Sequence, residues 1–406
     1  MRAHLLGPVA AAVTALTALA GSLLPLVPPG TSAAAAPPAT TAYRSGAGPA
    51  PAARATRPTL RVRRLITGLD HPWDVKPAGA GRLLFTQRDR ATLTLWADGV
   101  QHRVRSFPSG SVWVSGETGL MGLETATGFR RNHVVYTCQG GTTASGGHDV
   151  RVMAWTLNAR LRRVVGQRTL LTGLPATSGR HGGCRLLAVA DRLYAGTGDA
   201  ATGINPEDLH SLGGKTLCLL PATGAPCPTN RWANARNRRQ RFVHTYGHRN
   251  VQGLDLRSDG TLWSVEQGTY RDDEVNRLRN GGDYGYNPVP GYNESVPMTD
   301  RSLPGRQRSA AWRSGDPTLA TSGGGFVHGR AWRWYDGTLA VAALKAERVL
   351  FLKLTSAGRL RGVVVPPALR QYGRMRTVVD GRGAVVYVPT DNGGGQDSIL
   401  AIRPRR

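Results

Sequence analysis

Four groups of residues in this chain have types and spacings that could do chemistry. The first is His181, set between Arg180 and the glycine pair Gly182–Gly183 in SGRHGGCRLL. Glycines let a ligand approach closely and keep the imidazole clear of side chains. Asp199 follows at the end of YAGTGD. A histidine oriented by a carboxylate is a general base near neutral pH; a lone histidine in a surface loop is the plainer alternative. The second group is YGHRNVQG, where Arg249 and Asn250 follow His248. A guanidinium beside an amide suits a carboxylate or carbonyl ligand, or else bonds loop carbonyls. The third group is VEQGTYRDDEVNRLRNGGDYGYN, from Val265 to Asn287, acidic and glycine-rich in a basic chain. Glu266, Asp272, Asp273, Glu274, Asp283 and nearby carbonyls form a hard-oxygen environment suited to Ca²⁺. Its spacing is not that of an EF-hand, and an acidic turn that neutralises neighbouring arginines is the alternative. The fourth group is Lys345 with Arg374 and Arg376. In a strand the two arginines, at i and i+2, would share one face, and three convergent cations call for a small polyanion. Generic arginine richness is the alternative for either arginine alone.

The elements that must position these residues repeat along the chain. Short apolar strands follow turn signals six times: GRLLFTQ from Gly81, NHVVYTC from Asn132, DRLYAGTG from Asp191, DGTLWSVEQG from Asp259, DGTLAVAAL from Asp336 and GAVVYVPTD from Gly383. Further strands follow each, such as LTLWADG and RVLFLKL, and no long amphipathic helix interrupts them. Such repetition predicts an all-β six-bladed β-propeller over residues 59–406, in preference to a pair of sandwiches. If the repeated strands line the central channel, the residues after them become neighbours. These are Gln87, Gln139, Asp199, Glu266 with Gln267, Lys345 and Asp391.

Composition agrees with this reading. Of 406 residues, 40% are hydrophobic and 19% charged, ample for a core, and Gly is abundant at 52 residues. The net charge is +26, from 52 basic and 26 acidic residues, and all but four of the basic residues are arginine. The arginines lack the aromatic interleaving or helical stripe of nucleic-acid binders, so no nucleic-acid partner is expected. Residues 1–36 read as a secretory signal peptide, with Arg2 before an apolar Ala/Leu run and small residues at Ala33–Ala36. An uncleaved anchor is the alternative. Residues 37–58 read as a disordered Pro/Ala/Thr linker. A secreted or extracytoplasmic location follows, and the four cysteines are then expected to pair. Cys218 and Cys227 bracket a Pro/Gly loop, which leaves Cys138 for Cys184.

Taken together the motifs resemble those of the soluble quinoprotein sugar dehydrogenases, the glucose/sorbosone and aldose dehydrogenases that use pyrroloquinoline quinone (PQQ). The resemblance runs through GLDHPWDV, GETGLMGL, the His181 loop, LGGKTL, GHRNVQG, DEVN with GGDYGY, Lys345 and the Arg374/Arg376 pair. It implies a six-bladed propeller that oxidises C1 of an aldose to the lactone. His181 is implied as the base and Asp199 as its orienting carboxylate. Arg249, Asn250, Lys345, Arg374 and Arg376 are implied as PQQ contacts, and Glu117 takes the position of a usual glutamine there. The carbonyls of Gly268 and Thr269 are implied as Ca²⁺ ligands, and Glu274 with Tyr284 as a further Ca²⁺ site. Thr269 replaces a usual proline, and Arg180 a residue acidic in some glucose-oxidising members. Both Glu117 and Arg180 touch the sugar pocket, so glucose itself is not implied. Dimer-forming insertions are absent, which implies a monomer; the electron acceptor is left unspecified. Two other readings compete: a non-enzymatic propeller binding envelope glycan or protein, and a Ca²⁺-dependent lactonase, which would need carboxylates rather than cations at the axis.

Overall fold

The computed structural model describes residues 56–79, 81–381 and 383–405; the expected signal peptide and linker residues 37–55 lie outside the described residues. Six mainly antiparallel sheets form the blades of a β-propeller, as expected. The first blade runs Pro72–Pro77, Leu83–Gln87, Thr92–Ala97 and Val100–Arg103. The second runs Leu120–Thr125, Val134–Thr142, His148–Leu157 and Val164–Leu174. The sixth closes the ring: Leu60–Leu69, from the start of the described chain, pairs with Asp397–Pro404 from its end. Among the described residues the one α-helix is the single turn Phe129–Asn132, and no helix is long and apolar enough to cross a membrane. Thr56–Pro58, at the end of the expected linker, are described: Trp334 donates its N–H to the Thr56 carbonyl at 3.3 Å, and Arg57 lies 5.2 Å from the Trp334 ring.

One expectation is corrected. The six repeated strands are the second strands of their sheets and do not line the channel. The strands that touch one another around the ring are the first ones, such as Leu120–Thr125, Arg185–Val189, Val251–Leu256 and Thr321–Phe326. The second strands are mostly apolar because neighbouring blades cover both their faces; Leu83–Gln87 and Leu339–Ala343 are buried at every residue. First strands carry a different signal. In TSGGGF the Gly323 backbone is so close to the axis that a Cβ would lie 2.0 Å from Thr377 Oγ1. Antiparallel pairing rescues the inference about neighbours. The last residue of a second strand sits opposite the first of a channel strand, as in Gln87 with Pro72 and Glu266 with Val251.

Two features place the site. Both expected disulfides form, Cys138–Cys184 and Cys218–Cys227. The first ties the strand Val134–Thr142 to the loop that holds His181. The second feature is a long excursion between Glu274–Arg277 and Trp312–Arg313 of the fourth blade. On its way it adds Gly282–Asp283, in parallel, to Val243–Tyr246 of the third. It then carries Tyr292 and Glu294 back over the catalytic end.

Candidate active site

His181 sits at the entrance to the third blade with a left-handed backbone (φ 53°) and is 3% exposed. Its carbonyl packs on Gly198, where a Cβ would lie 1.8 Å away, so the glycine is required. His181 Nδ1 lies 2.8 Å from Asp199 Oδ1. Asp199 is fully buried and also accepts the Ala201 N–H at 2.8 Å. With Nδ1–H directed at the carboxylate, Nε2 presents its lone pair as a base. Tyr292 completes the pair. Its hydroxyl donates to Asp199 Oδ2 at 2.8 Å and lies 3.0 Å from His181 Nδ1. Burial, and then the Asp199 charge, push the phenol far above its usual range, so it stays a donor.

The expected anion-binding residues join this centre by a chain of contacts. Glu117 Oε2 accepts the His181 N–H at 3.3 Å and an Asn250 side-chain N–H at 3.4 Å. Asn250 Oδ1 in turn accepts the Gly183 N–H at 3.1 Å. Arg249 donates to the Gln267 carbonyl at 3.3 Å and pairs with Glu294, which also holds Arg180 at 2.7 Å. The Arg249 Nε is buried with no partner. Gln267 meets Gln252 at 3.4 Å, and Gln252 Oε1 accepts from Arg376 at 3.0 Å. Arg376 and Arg374 both reach Asp391, at 2.5 and 3.7 Å. Arg376 is therefore a buried, paired residue, while Arg374 is exposed. The Lys345 side chain is exposed and forms no ion pair among the described residues.

The expected cation ligands separate into two cases. In the Gly268–Thr269 loop, Asp273 braces the turn by accepting the Gly268 N–H at 3.0 Å. Both residues are buried, their carbonyls accept no hydrogen bond among the described residues, and Thr269 Oγ1 is buried without a partner. That donor set fits a hard cation. Glu274 and Tyr284 do not fit one, because both are engaged elsewhere. Glu274 meets Arg313 at 3.0 Å, and burial with nearby Glu266 pushes its carboxyl up to about 7. The Tyr284 hydroxyl donates to the Arg277 carbonyl at 2.7 Å and accepts the Arg279 N–H at 3.1 Å. No group of three or more His, Cys, Asp or Glu among the described residues could hold a metal ion. Sequence reasoning missed Tyr292, Glu294 and Gln252. Gln252 lies within a quoted motif, whereas nothing in the irregular excursion marks Tyr292 or Glu294.

Comparison with known proteins identifies the family and the fold. Residues 69–401 match the family model described as glucose/sorbosone dehydrogenase. The chain is 26% identical over 366 residues to the aldose sugar dehydrogenase YliI of Escherichia coli, covering 86% of this chain and 94% of that protein. It superposes on the PQQ-bound aldose sugar dehydrogenase of Streptomyces coelicolor with TM-score 0.71 and 28% identity, covering 86% of this chain and all of that one. A Thermus thermophilus structure described as a putative oxidoreductase (glucose dehydrogenase) gives TM-score 0.71 and 31% identity, over 84% of this chain and 99% of that one.

Proposed function

The chain belongs to the glucose/sorbosone dehydrogenase family, and on that premise we propose that it is an exported quinoprotein oxidising the C1 hydroxyl of an aldose to the lactone. The observation that carries the reading is the buried His181–Asp199 pair adjoining the Arg249–Asn250 anion site. PQQ, when bound, supplies the two-electron acceptor for the C1 hydride. Its three carboxylates suit the partnerless Arg249 Nε, the unpaired Lys345 ammonium and the exposed Arg374. Asn250 adds an amide, and Arg376 contributes positive charge from behind while remaining tied to Asp391. A Ca²⁺ ion would be held by the Gly268 and Thr269 carbonyls and would act as a Lewis acid.

The protein's own part is proton transfer and orientation. His181 Nε2 removes the C1 hydroxyl proton as the two C1–H electrons leave, so the alcohol carbon becomes the lactone carbonyl. Asp199 fixes the imidazole tautomer and stabilises the imidazolium that results. Burial of the pair excludes water from the base. Glu117 and Arg180 border the sugar position and set the choice of aldose. The two disulfides are consistent with export to an oxidising compartment.

The test is reconstitution of the purified chain with PQQ and Ca²⁺, followed by an aldose screen with an artificial electron acceptor and detection of lactone. Turnover on at least one aldose is expected. No turnover on any aldose, together with an unshifted PQQ absorbance, would overturn the reading.

A further inference from the structure

We propose that the rim of the propeller opposite the catalytic end carries a binding site for a chain of condensed phosphate groups. A cavity of about 740 Å³ opens there, lined by Arg277, Arg279, Arg301, Arg306, Arg308 and Arg359. No carboxylate and no aromatic side chain lines it. Its place follows from strand direction. Arg277 ends the strand Glu274–Arg277 and lies opposite Trp263, whereas Glu266 at the other end of that pairing faces the active site. Arg359 lies in the turn after Arg348–Leu354, at the same far rim. The remaining arginines come from the excursion that crosses between the third and fourth blades.

Some arginines of this chain take carboxylate partners, as Arg151 does with Asp149 and Arg185 with Asp74. The six here do not. Arg301 donates to Ser309 at 2.7 Å. The guanidiniums of the other five have no hydrogen-bond or ion-pair partner among the described residues, and Arg308 Nε is buried without one. Six like charges around one cavity repel one another, and an anion placed between them removes that repulsion.

The lining selects the anion. Guanidinium forks match phosphate oxygens in pairs. The volume is that of a small-molecule site rather than of a single ion. A dense cluster of cations in that volume suits adjacent phosphates rather than phosphates spaced by sugars or polyols. The lack of any aromatic removes the stacking platform that single-stranded nucleic acid uses.

Titration of the full chain with tripolyphosphate, by calorimetry at physiological salt, tests the site. Saturable binding is expected. The Arg306→Ser/Arg308→Ser/Arg359→Ser variant should weaken it about tenfold or more. A control losing the same charge elsewhere, Arg130→Ser/Arg131→Ser/Arg160→Ser, should change it less than about twofold. If the triple variant fails to fold, the exposed pair Arg306→Ser/Arg359→Ser serves, with a smaller loss in the same direction. Equal weakening in variant and control would show diffuse attraction and overturn the proposal, as would absence of binding. A glycerol-phosphate polymer or a single-stranded oligonucleotide binding as tightly through the same arginines would overturn the choice of condensed phosphate.

Discussion

At the scale of single residues, the site separates groups that do chemistry from groups that hold them. His181 presents Nε2 only because Asp199 and Tyr292 fix its other face. Replacing His181 with alanine should lower kcat by about 10²–10⁴-fold, with PQQ binding retained in an absorbance titration; a variant that keeps substantial activity would remove His181 as the base. Tyr292→Phe takes away the donor to Asp199 Oδ2 and leaves the ring. The expectation is a kcat lowered about tenfold at nearly unchanged KM. A raised KM at normal kcat would instead make Tyr292 a sugar contact. Lys345 and Arg376 should part company in the same way. Lys345→Ala weakens PQQ binding with little change in Tm, because the side chain is exposed and unpaired. Arg376→Ala leaves Asp391 buried without its closest cation, at a cost of about 3–5 kcal/mol in denaturant unfolding. His181 was legible in the sequence because glycines follow it and a carboxylate follows those. Tyr292 was not, because it reaches His181 from a segment with no periodicity, 111 residues away.

At the scale of elements, the blade count was legible and the strand order was not. Turn residues before a short, mostly apolar strand mark the second strand of each blade, which is covered on both faces. The first strands give no such mark: Thr321–Phe326 is half glycine, since the axis leaves no room for side chains there. The long excursion from the fourth blade to the third was equally illegible, having almost no strand of its own. The cysteine pairing was legible from loop composition and count. Its consequence needed the fold: Cys184 lies three residues after His181, and its bond to Cys138 staples the base's loop to the second blade. Opening this link, which closes a separation of 46 residues, should cost about 4 kcal/mol. Cys138→Ser/Cys184→Ser should therefore lower Tm and, by loosening the His181 loop, lower kcat as well. A variant with reduced Tm and full kcat at low temperature would show that the staple serves the fold alone.

At the scale of the whole molecule, the excess of positive charge is uneven rather than uniform. Arginines at the axis are neutralised by buried carboxylates, while the six that line the far-rim cavity have no carboxylate partner among the described residues. Asp391 is the clearest case of neutralisation, because it joins the ends of the ring. It lies after the strand Val386–Pro389 of the sixth blade, yet its Oδ1 meets His71 Nδ1 at 2.9 Å, beside the first strand of the first blade. Its Oδ2 meets Arg376, which reaches Gln252 and Ser322 of the fourth and fifth blades. Burial alone would raise the Asp391 carboxyl, but Arg376, the His71 hydrogen bond and Arg88 outweigh it and hold the group well below the usual carboxylate range. A depressed acid stabilises the fold above its unfolded value near pH 4 and loses that contribution as pH falls further. The hydrogen bond to Asp391 raises His71 above its ordinary 6.5, against the opposing effect of burial. A raised base contributes fully below its unfolded value and loses the contribution as pH rises through the folded one. The pair therefore stabilises ring closure most between about pH 4 and 6.5. Urea unfolding of wild type and Asp391→Asn from pH 3 to 9 should show the largest gap in that window. The gap should narrow below pH 4, where the wild-type carboxylate is itself protonated on unfolding, and shrink again above neutrality. A gap of constant size across the whole range would mean that Asp391 acts through packing rather than through its charge.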